Sequence, residues 1–492
     1  VVVLGLSSIL LALGVAGTTW GVLRTQAARR DAAQREAEAE AGLQFLTSVL
    51  RAADPWRSGG MINARQIVDQ ASRVISGEVA DFPEVQARLM VALGKTYSSL
   101  GLPEEARKHL NDALTTQRRL LGDAHPETIE SMVQIGNAEV IASNFAEAQA
   151  VGERAVAACL GTFGELSQQT RDAMNVVGDA LAGLGRMEEA IELRARMYAM
   201  ADKELGKDSP KTLWQANRLG MLYAEAGRYR DAEELLERVR AAREQVLTAS
   251  HHSTLRTMYF LAAARRALGR YQEAATLFEQ TLLGQRRVLW ADHPDTLACA
   301  EELAQCWAML GRLDEACRLQ EETLDLYRKA VRDEHERTLA ARRALALLHL
   351  KAGRWTLANE LTEDVLAISR QAMGESHPAT HWAMRDRAEV LLAANPPEPQ
   401  LLQEALDLAQ RACSAQEDLR RPDLHKFLVT LAGAQFKTGD IPAAAETLRR
   451  AIALAPRDGP LKVDYEGRLG SYEAELGGKT RDPAAPNAVR ED

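Results

Sequence analysis

HPDTLACAEELAQCWAMLGRLDEACRLQEETLDLYRKAVRDE, residues 293–334, is one copy of a pattern that returns every 42 residues. Its threonine belongs to a column, Thr128, Thr170, Thr212, Thr254, Thr296, Thr338 and Thr380, spaced without insertion or deletion. Ala106, Ala148, Ala190, Ala232, Ala274, Ala316 and Ala358 form a second column, and Gly101, Gly185, Gly227, Gly269, Gly311 and Gly353 a third that only Ser143 interrupts. Repetition at such a period marks stacked units, each too small to bury its apolar face alone.

Within the quoted unit, Leu297, Ala300, Leu303, Ala304 and Trp307 recur at steps of three and four, so they share one face of a helix. Gly311 stops that helix, because glycine takes a left-handed C-cap without steric cost. A second amphipathic helix is expected from about Asp314 to Val331, carrying Ala316, Leu319, Leu324 and Leu326. His125-Pro126, His293-Pro294 and His377-Pro378, with Ser209-Pro210 as a variant, punctuate the return, since proline suits a first helical turn. The position seven residues before the glycine is always small: Gly94, Gly136, Gly178, Gly220, Ala262, Ala304, Ala346 and Ala388. Two helices can approach closely there, with the alanine column as the expected small partner on the second helix.

These columns, together with Leu93, Ile135, Val177, Leu219, Leu261, Leu303 and Leu345, resemble the tetratricopeptide repeat in the long-helix, 42-residue form of kinesin light chains. The resemblance covers residues 83–456 and implies an all-α, right-handed superhelical solenoid of about nine repeats. It also implies a concave groove, lined by the first helix of each pair, that binds a protein or peptide. The groove positions it implies lie five and nine residues after the threonine: Asn175, Asn217, Tyr259, Glu301, Arg343 and Arg385, then Asn137, Asp179, Met221 and Gln305. Asn175 and Asn217 are expected to be surface amides that bond a peptide backbone, since an amide both donates and accepts. The alternative is a solvated face that binds nothing. Residues 457–476 are expected to cap the array and 477–492 to be a disordered tail.

Residues 1–23, VVVLGLSSILLALGVAGTTWGVL, carry no charge, and at about 1.5 Å per residue they reach roughly 34 Å, enough for a bilayer core. The expectation is one transmembrane helix holding the chain in the cell membrane, with residues 24–82 as a helical juxtamembrane linker. A signal peptide would begin with methionine and a basic leader, whereas this sequence opens on Val1, and an upstream part is expected. Arg24, Arg29, Arg30 and Arg35 favour a cytoplasmic side for the repeats, but Asp31, Glu36, Glu38 and Glu40 interleave with them. The order Thr18-Thr19-Trp20-Gly21, an Ala/Arg/Glu stretch, Phe45-Leu46, Ala53-Asp54-Pro55 and Pro83-Glu84-Val85 resembles the C-terminal half of bacterial membrane-anchored serine/threonine protein kinases with tetratricopeptide tails. That resemblance implies a kinase domain upstream of Val1 and an array outside the cytoplasm.

No catalytic constellation is present in the sequence. Asp81-Phe82-Pro83 is the nearest approach to a kinase metal motif, with proline where glycine is needed, and Arg385-Asp386 follows a methionine on an expected helix. The reading is therefore of a non-enzyme without cofactor or metal. His125, His251, His293, His335 and His377 share a column, but successive units stand on the order of 10–20 Å apart, too far to share an ion whose ligands sit at about 2 Å. They are expected to build turns. Net charge of −9 argues against a nucleic-acid surface. Cys159, Cys299, Cys306, Cys317 and Cys413 show no metal spacing and are expected to be small core residues, with a disulfide within Cys299, Cys306 and Cys317 as the alternative. Two functions fit: a membrane-tethered interaction scaffold, or the sensing half of a receptor-like kinase.

Overall fold

Helix follows helix in the computed structural model, which describes residues 64–79, 81–418, 423–456 and 460–479. The expected membrane span at 1–23 and most of the linker lie outside the described residues. Among the described residues no helix is long and apolar enough to cross a membrane. No strand occurs among them either.

A leading helix α1 (Ala64–Glu78) is followed by helix pairs: α2 (Pro83–Ser99) with α3 (Pro103–Leu121), α4 (Pro126–Ile141) with α5 (Phe145–Phe163), and α6 (Gln168–Gly183) with α7 (Met187–Leu205). Next come α8 (Pro210–Glu225) with α9 (Tyr229–Val246), α10 (His252–Ala267) with α11 (Tyr271–Val288), and α12 (Pro294–Met309) with α13 (Leu313–Ala330). The series ends with α14 (Glu336–Lys351) and α15 (Trp355–Met373), α16 (Pro378–Leu392) and α17 (Pro399–Asp418), α18 (Leu424–Lys437) and α19 (Ile441–Leu454), then a last helix α20 (Leu461–Lys479). α20 runs three residues beyond the cap expected at 457–476. The helices form two compact units, divided between Leu193 and Arg194 inside α7.

The repeated columns have local physical causes. Each column histidine caps the first helix of its unit, its Nδ1 accepting from the backbone N–H two residues on: Glu127 at 3.3 Å, Ser253 at 3.1 Å, Asp295 at 3.2 Å, Arg337 at 3.1 Å and Ala379 at 3.2 Å. This satisfies one of the four orphan donors of a helix start. The threonine hydroxyl then reaches back to the end of the preceding unit. Thr170 donates to Gly164 O at 2.7 Å, Thr296 to Trp290 O at 2.9 Å, Thr338 to Arg332 O at 3.0 Å and Thr380 to Gly374 O at 2.7 Å. Each strap fastens one unit's first helix to its predecessor's second. The carbonyl it holds often belongs to a glycine in the left-handed region, such as Gly374 at φ 88°, but in one unit Trp290 occupies that conformation at φ 67°.

Close packing explains the small-residue column, although its partner differs from the expectation. A Cβ on Gly220 would stand 2.7 Å from Leu236 Cγ, and one on Gly94 would meet Leu110. In these two repeats the small position receives the leucine one turn after the column alanine, while Ala106 and Ala232 are themselves fully buried; Gly136 instead faces Val176 of the next first helix. In the N-terminal unit Ile75, Tyr97, Leu110, Ile129 and Met132 share one core. In the C-terminal unit Leu236, Leu255, Leu261, Phe278, Leu303 and Leu324 share another, and Leu339, Met384, Phe427, Leu428 and Leu448 a third. Each fully buried leucine or phenylalanine is worth about 1.5–3 kcal/mol against exposure. All five cysteines are buried and free, which excludes the disulfide alternative.

The first helices of neighbouring units also touch one another: α2 with α4 and α4 with α6 in the first unit, and the series from α8 to α18 in the second. No two second helices do so to a comparable extent among the described residues. Within each unit the first helices therefore lie on the shorter, inner face.

Candidate functional site at the inner helix face

A first helix packs on three sides and leaves one stripe open. On α8, Leu213, Ala216, Asn217 and Gly220 are buried, whereas Trp214 is exposed and Arg218 and Met221 are half-buried. The open stripe thus includes the position two residues after the threonine, where Glu130, Trp214 and Arg256 are exposed. The sequence reading missed that position, although the same three-and-four spacing links it to those six and nine residues after the threonine.

Of the residues singled out from the sequence, Asn137, Asn175, Asp179, Met221, Tyr259, Glu301, Arg343 and Arg385 are half-buried, and Gln305 is exposed. Asn217 requires a correction. It is only 4% exposed and is not a surface amide. Arg243, rising from α9 and equally buried, donates through Nη1 to Asn217 Oδ1 at 3.3 Å, Thr257 Oγ1 at 2.6 Å and Ser253 O at 2.6 Å, and through Nη2 to Leu213 O at 3.3 Å. Thr257 also donates to Asn217 Oδ1 at 2.9 Å, so the amide is consumed in a polar seam between α8 and α10. A side chain 26 residues further along the chain decides the fate of Asn217, which local periodicity could not reveal. Burial, with Arg256 nearby, pulls the Arg243 guanidinium down to about 10, leaving it charged at neutral pH.

Arg343 and Arg385 are brought together by a carboxylate. Asp386, fully buried, accepts from Arg343 Nε at 2.6 Å and from Arg385 Nη1 at 2.7 Å, while Arg385 Nη2 donates to Glu389 at 2.8 Å. Arg343, Arg385 and Lys426 stand 5.3, 5.6 and 5.7 Å from the Trp382 ring centre, and Trp382 packs on Phe427 at 4.6 Å. The Arg385-Asp386 pair thus serves as a guanidinium clamp. Between the α8–α10 seam and this cluster lies Glu301, whose carboxyl is raised to about 7 by burial and then by Glu302 beside it. Glu302 pairs with Arg266 at 2.6 Å, and burial followed by the Glu302 charge pushes the Tyr259 hydroxyl upward. Asn137, Asn175 and Asp179 belong to the N-terminal unit's own inner face. Among the described residues no three metal-ligating side chains converge. The face offers aromatic surface, amides and guanidinium groups for holding a ligand.

The tetratricopeptide-repeat family profile matches residues 85–160, 169–245, 253–329 and 296–371, and a second profile of that description matches 217–287. The chain belongs to the tetratricopeptide-repeat family. Among solved structures, the tetratricopeptide array is 32% identical to the nearly identical TPR-like repeats of a putative kinesin light chain from Podosopora anserina, over 41% of this chain and 95% of that one, with a TM-score of 0.38. RapI in its apo form covers 75% of this chain and 97% of its own at 12% identity and a TM-score of 0.53. A Rap protein complexed with competence and sporulation factor covers 79% and 99% at 10% identity and 0.50. These two share the tetratricopeptide fold. No curated protein matches the chain.

Proposed function

We propose that this tetratricopeptide array is a membrane-tethered scaffold that captures a protein partner by an extended segment laid along its inner face. The observation that carries the proposal is the contrast between the two sides of each first helix. Packed columns hardly change from unit to unit, whereas the open stripe runs from Trp214 and Arg218 through Tyr259 and Glu301 to Arg343, Trp382 and Lys426. Such an uneven surface can discriminate between sequences, because each position presents a different charge or ring. Selection of random 12-residue peptides on the full chain tests this. Trp214→Ala, an exposed change, is expected to weaken selected peptides about tenfold, as loss of an aromatic anchor does. Retention of no peptide by the wild type overturns the reading.

The tether rests on the uncharged stretch 1–23, and a carbonate-washed membrane pellet should retain the chain with that stretch and lose it without. The juxtamembrane order from Thr18 to Val85 supports a second reading, in which the array is the sensing half of a receptor-like kinase and lies outside the cytoplasm. Translation of the reading frame upstream of Val1 decides it, since a kinase domain is either encoded there or not. Protease added to intact cells tests the side of the membrane.

A further inference from the structure

The repeat at residues 251–292 departs from its siblings on the outer side. Its second helix carries Leu283, 55% exposed, where the same exposed position holds Ala157, Ala199, Ala241 and Ala367 in four repeats and Thr115 and Asp325 in two others. Seven residues on, Trp290 is 74% exposed at φ 67°, a position where Gly122, Gly164, Gly206 and Gly374 take the left-handed region. A bulky residue strains the backbone there, and an indole left in water returns nothing to the fold. Two helical turns separate the two departures, so both project from one side of α11.

That side borders a groove. Because α11 and α13 do not pack closely on each other, about 440 Å³ opens between them over Leu282, Leu303, Trp307 and Leu319. Polar groups of the rim are paired: Trp307 Nε1 donates to Glu279 Oε1 at 3.0 Å, and Arg286 Nη2 to Glu322 Oε1 at 2.8 Å. Arg287, Asp292, Arg318 and Glu321 are exposed around them and make no hydrogen bond or ion pair with any described residue. An exposed apolar patch rimmed by polar groups marks an interaction site. Two unpaired charges of each sign give a strongly charged partner no net attraction. A projecting ring, an apolar groove and balanced unpaired charges on one surface are instead complementary to that same surface turned through a two-fold axis.

We infer that this outer face is a two-fold contact between copies of the chain, in which Trp290 of each copy enters the α11–α13 groove of the other and Leu283 packs beside the axis. The unpaired arginines of one copy then meet the unpaired acids of the other. The contact goes beyond peptide capture, since it uses the second helices and leaves the inner face of each copy open.

Two measurements on the full chain in detergent micelles test this. Leu283→Cys puts a thiol beside the axis, whereas all five natural cysteines are buried. A short bismaleimide should then yield a covalent dimer, and Ala241→Cys, exposed at the matching place one repeat earlier, should yield none. In sedimentation equilibrium the wild type should associate, and Trp290→Gly should weaken association at least about tenfold, as loss of an aromatic anchor does. Glycine serves four sibling repeats at that position, so the variant should melt no lower than the wild type and its weaker association is not a folding failure. Equal cross-linking from the two cysteines overturns the inference, as does unaltered association of Trp290→Gly. A wild type that stays monomeric at roughly 100 μM also overturns it, leaving the groove to a different protein and peptide capture standing.

Discussion

Threonines in one column do not all make the same contribution, because the strap is not formed everywhere. Thr296 gives its hydroxyl proton to Trp290 O, whereas the buried Thr254 Oγ1 has no partner among the described residues. Thr296→Val should cost about 1 kcal/mol in urea unfolding, the net worth of one hydrogen bond, while Thr254→Val should be neutral or slightly stabilising, since it removes an unsatisfied polar atom. Histidine chemistry gives a pH dependence. His425 is buried against Tyr465, its Nδ1 3.0 Å from the phenol oxygen, and burial, followed by Lys426 beside it, lowers its imidazole to about 4. The unfolded chain binds the proton near 6.5, so between about 6.5 and 4 it is the unfolded state that gains protons. The contribution is present above pH 6.5 and lost as the pH falls through that window. His109, His349 and His381 are lowered in the same direction by burial. His425→Gln should flatten the decline of melting midpoint between pH 6.5 and 4.

Helix pairing is where the small column acts. Gly220→Leu drives a branched side chain into Leu236 and should cost about 1–3 kcal/mol, the range for overpacking. Because stacked repeats couple mainly to their neighbours, hydrogen exchange should accelerate in α8 to α11 and leave α16 to α19 at the wild-type rate. Most of this element structure was legible beforehand. One threonine, one cap and one small residue per unit are local devices, and local devices leave a strict period. The inner face was legible only in part. Its helices were placed correctly, but Asn217 sits beneath an arginine from the next helix, and Arg385-Asp386 owes its meaning to Arg343, 43 positions before the aspartate. Pairings that distant leave no periodic trace. The exposed position two residues after the threonine, Trp214 in α8, shares its stripe with Arg218 and Met221 through steps of four and three, and so lies within reach of helical spacing alone.

The complete array departs from its period in one instructive place. Adding 42 to Trp355, the start of α15, gives 397, yet α17 starts two positions later at Pro399, and the turn within the pair lengthens from three residues (352–354) to six (393–398). That turn joins two helices of the same unit and contains no strap. Four of the connections between repeats, by contrast, those entered at Thr170, Thr296, Thr338 and Thr380, are measured by a hydroxyl that must find a carbonyl six positions back. Two glycines added after Glu398 should leave the melting midpoint nearly unchanged, as loop extension costs only tenths of a kcal/mol here, whereas the same pair between Trp290 and Thr296 should lower it clearly.

The threonine straps therefore act as a ruler for the lineage as well as for the fold. A gene that duplicates such a unit inherits a connection whose length is already checked by a bond to the previous copy, so slippage during duplication is punished at one turn and forgiven at the other. New loops, tags or binding insertions can accumulate at the turns within a pair while the spacing between pairs keeps time, and an engineer lengthening this array should cut at the forgiving turn.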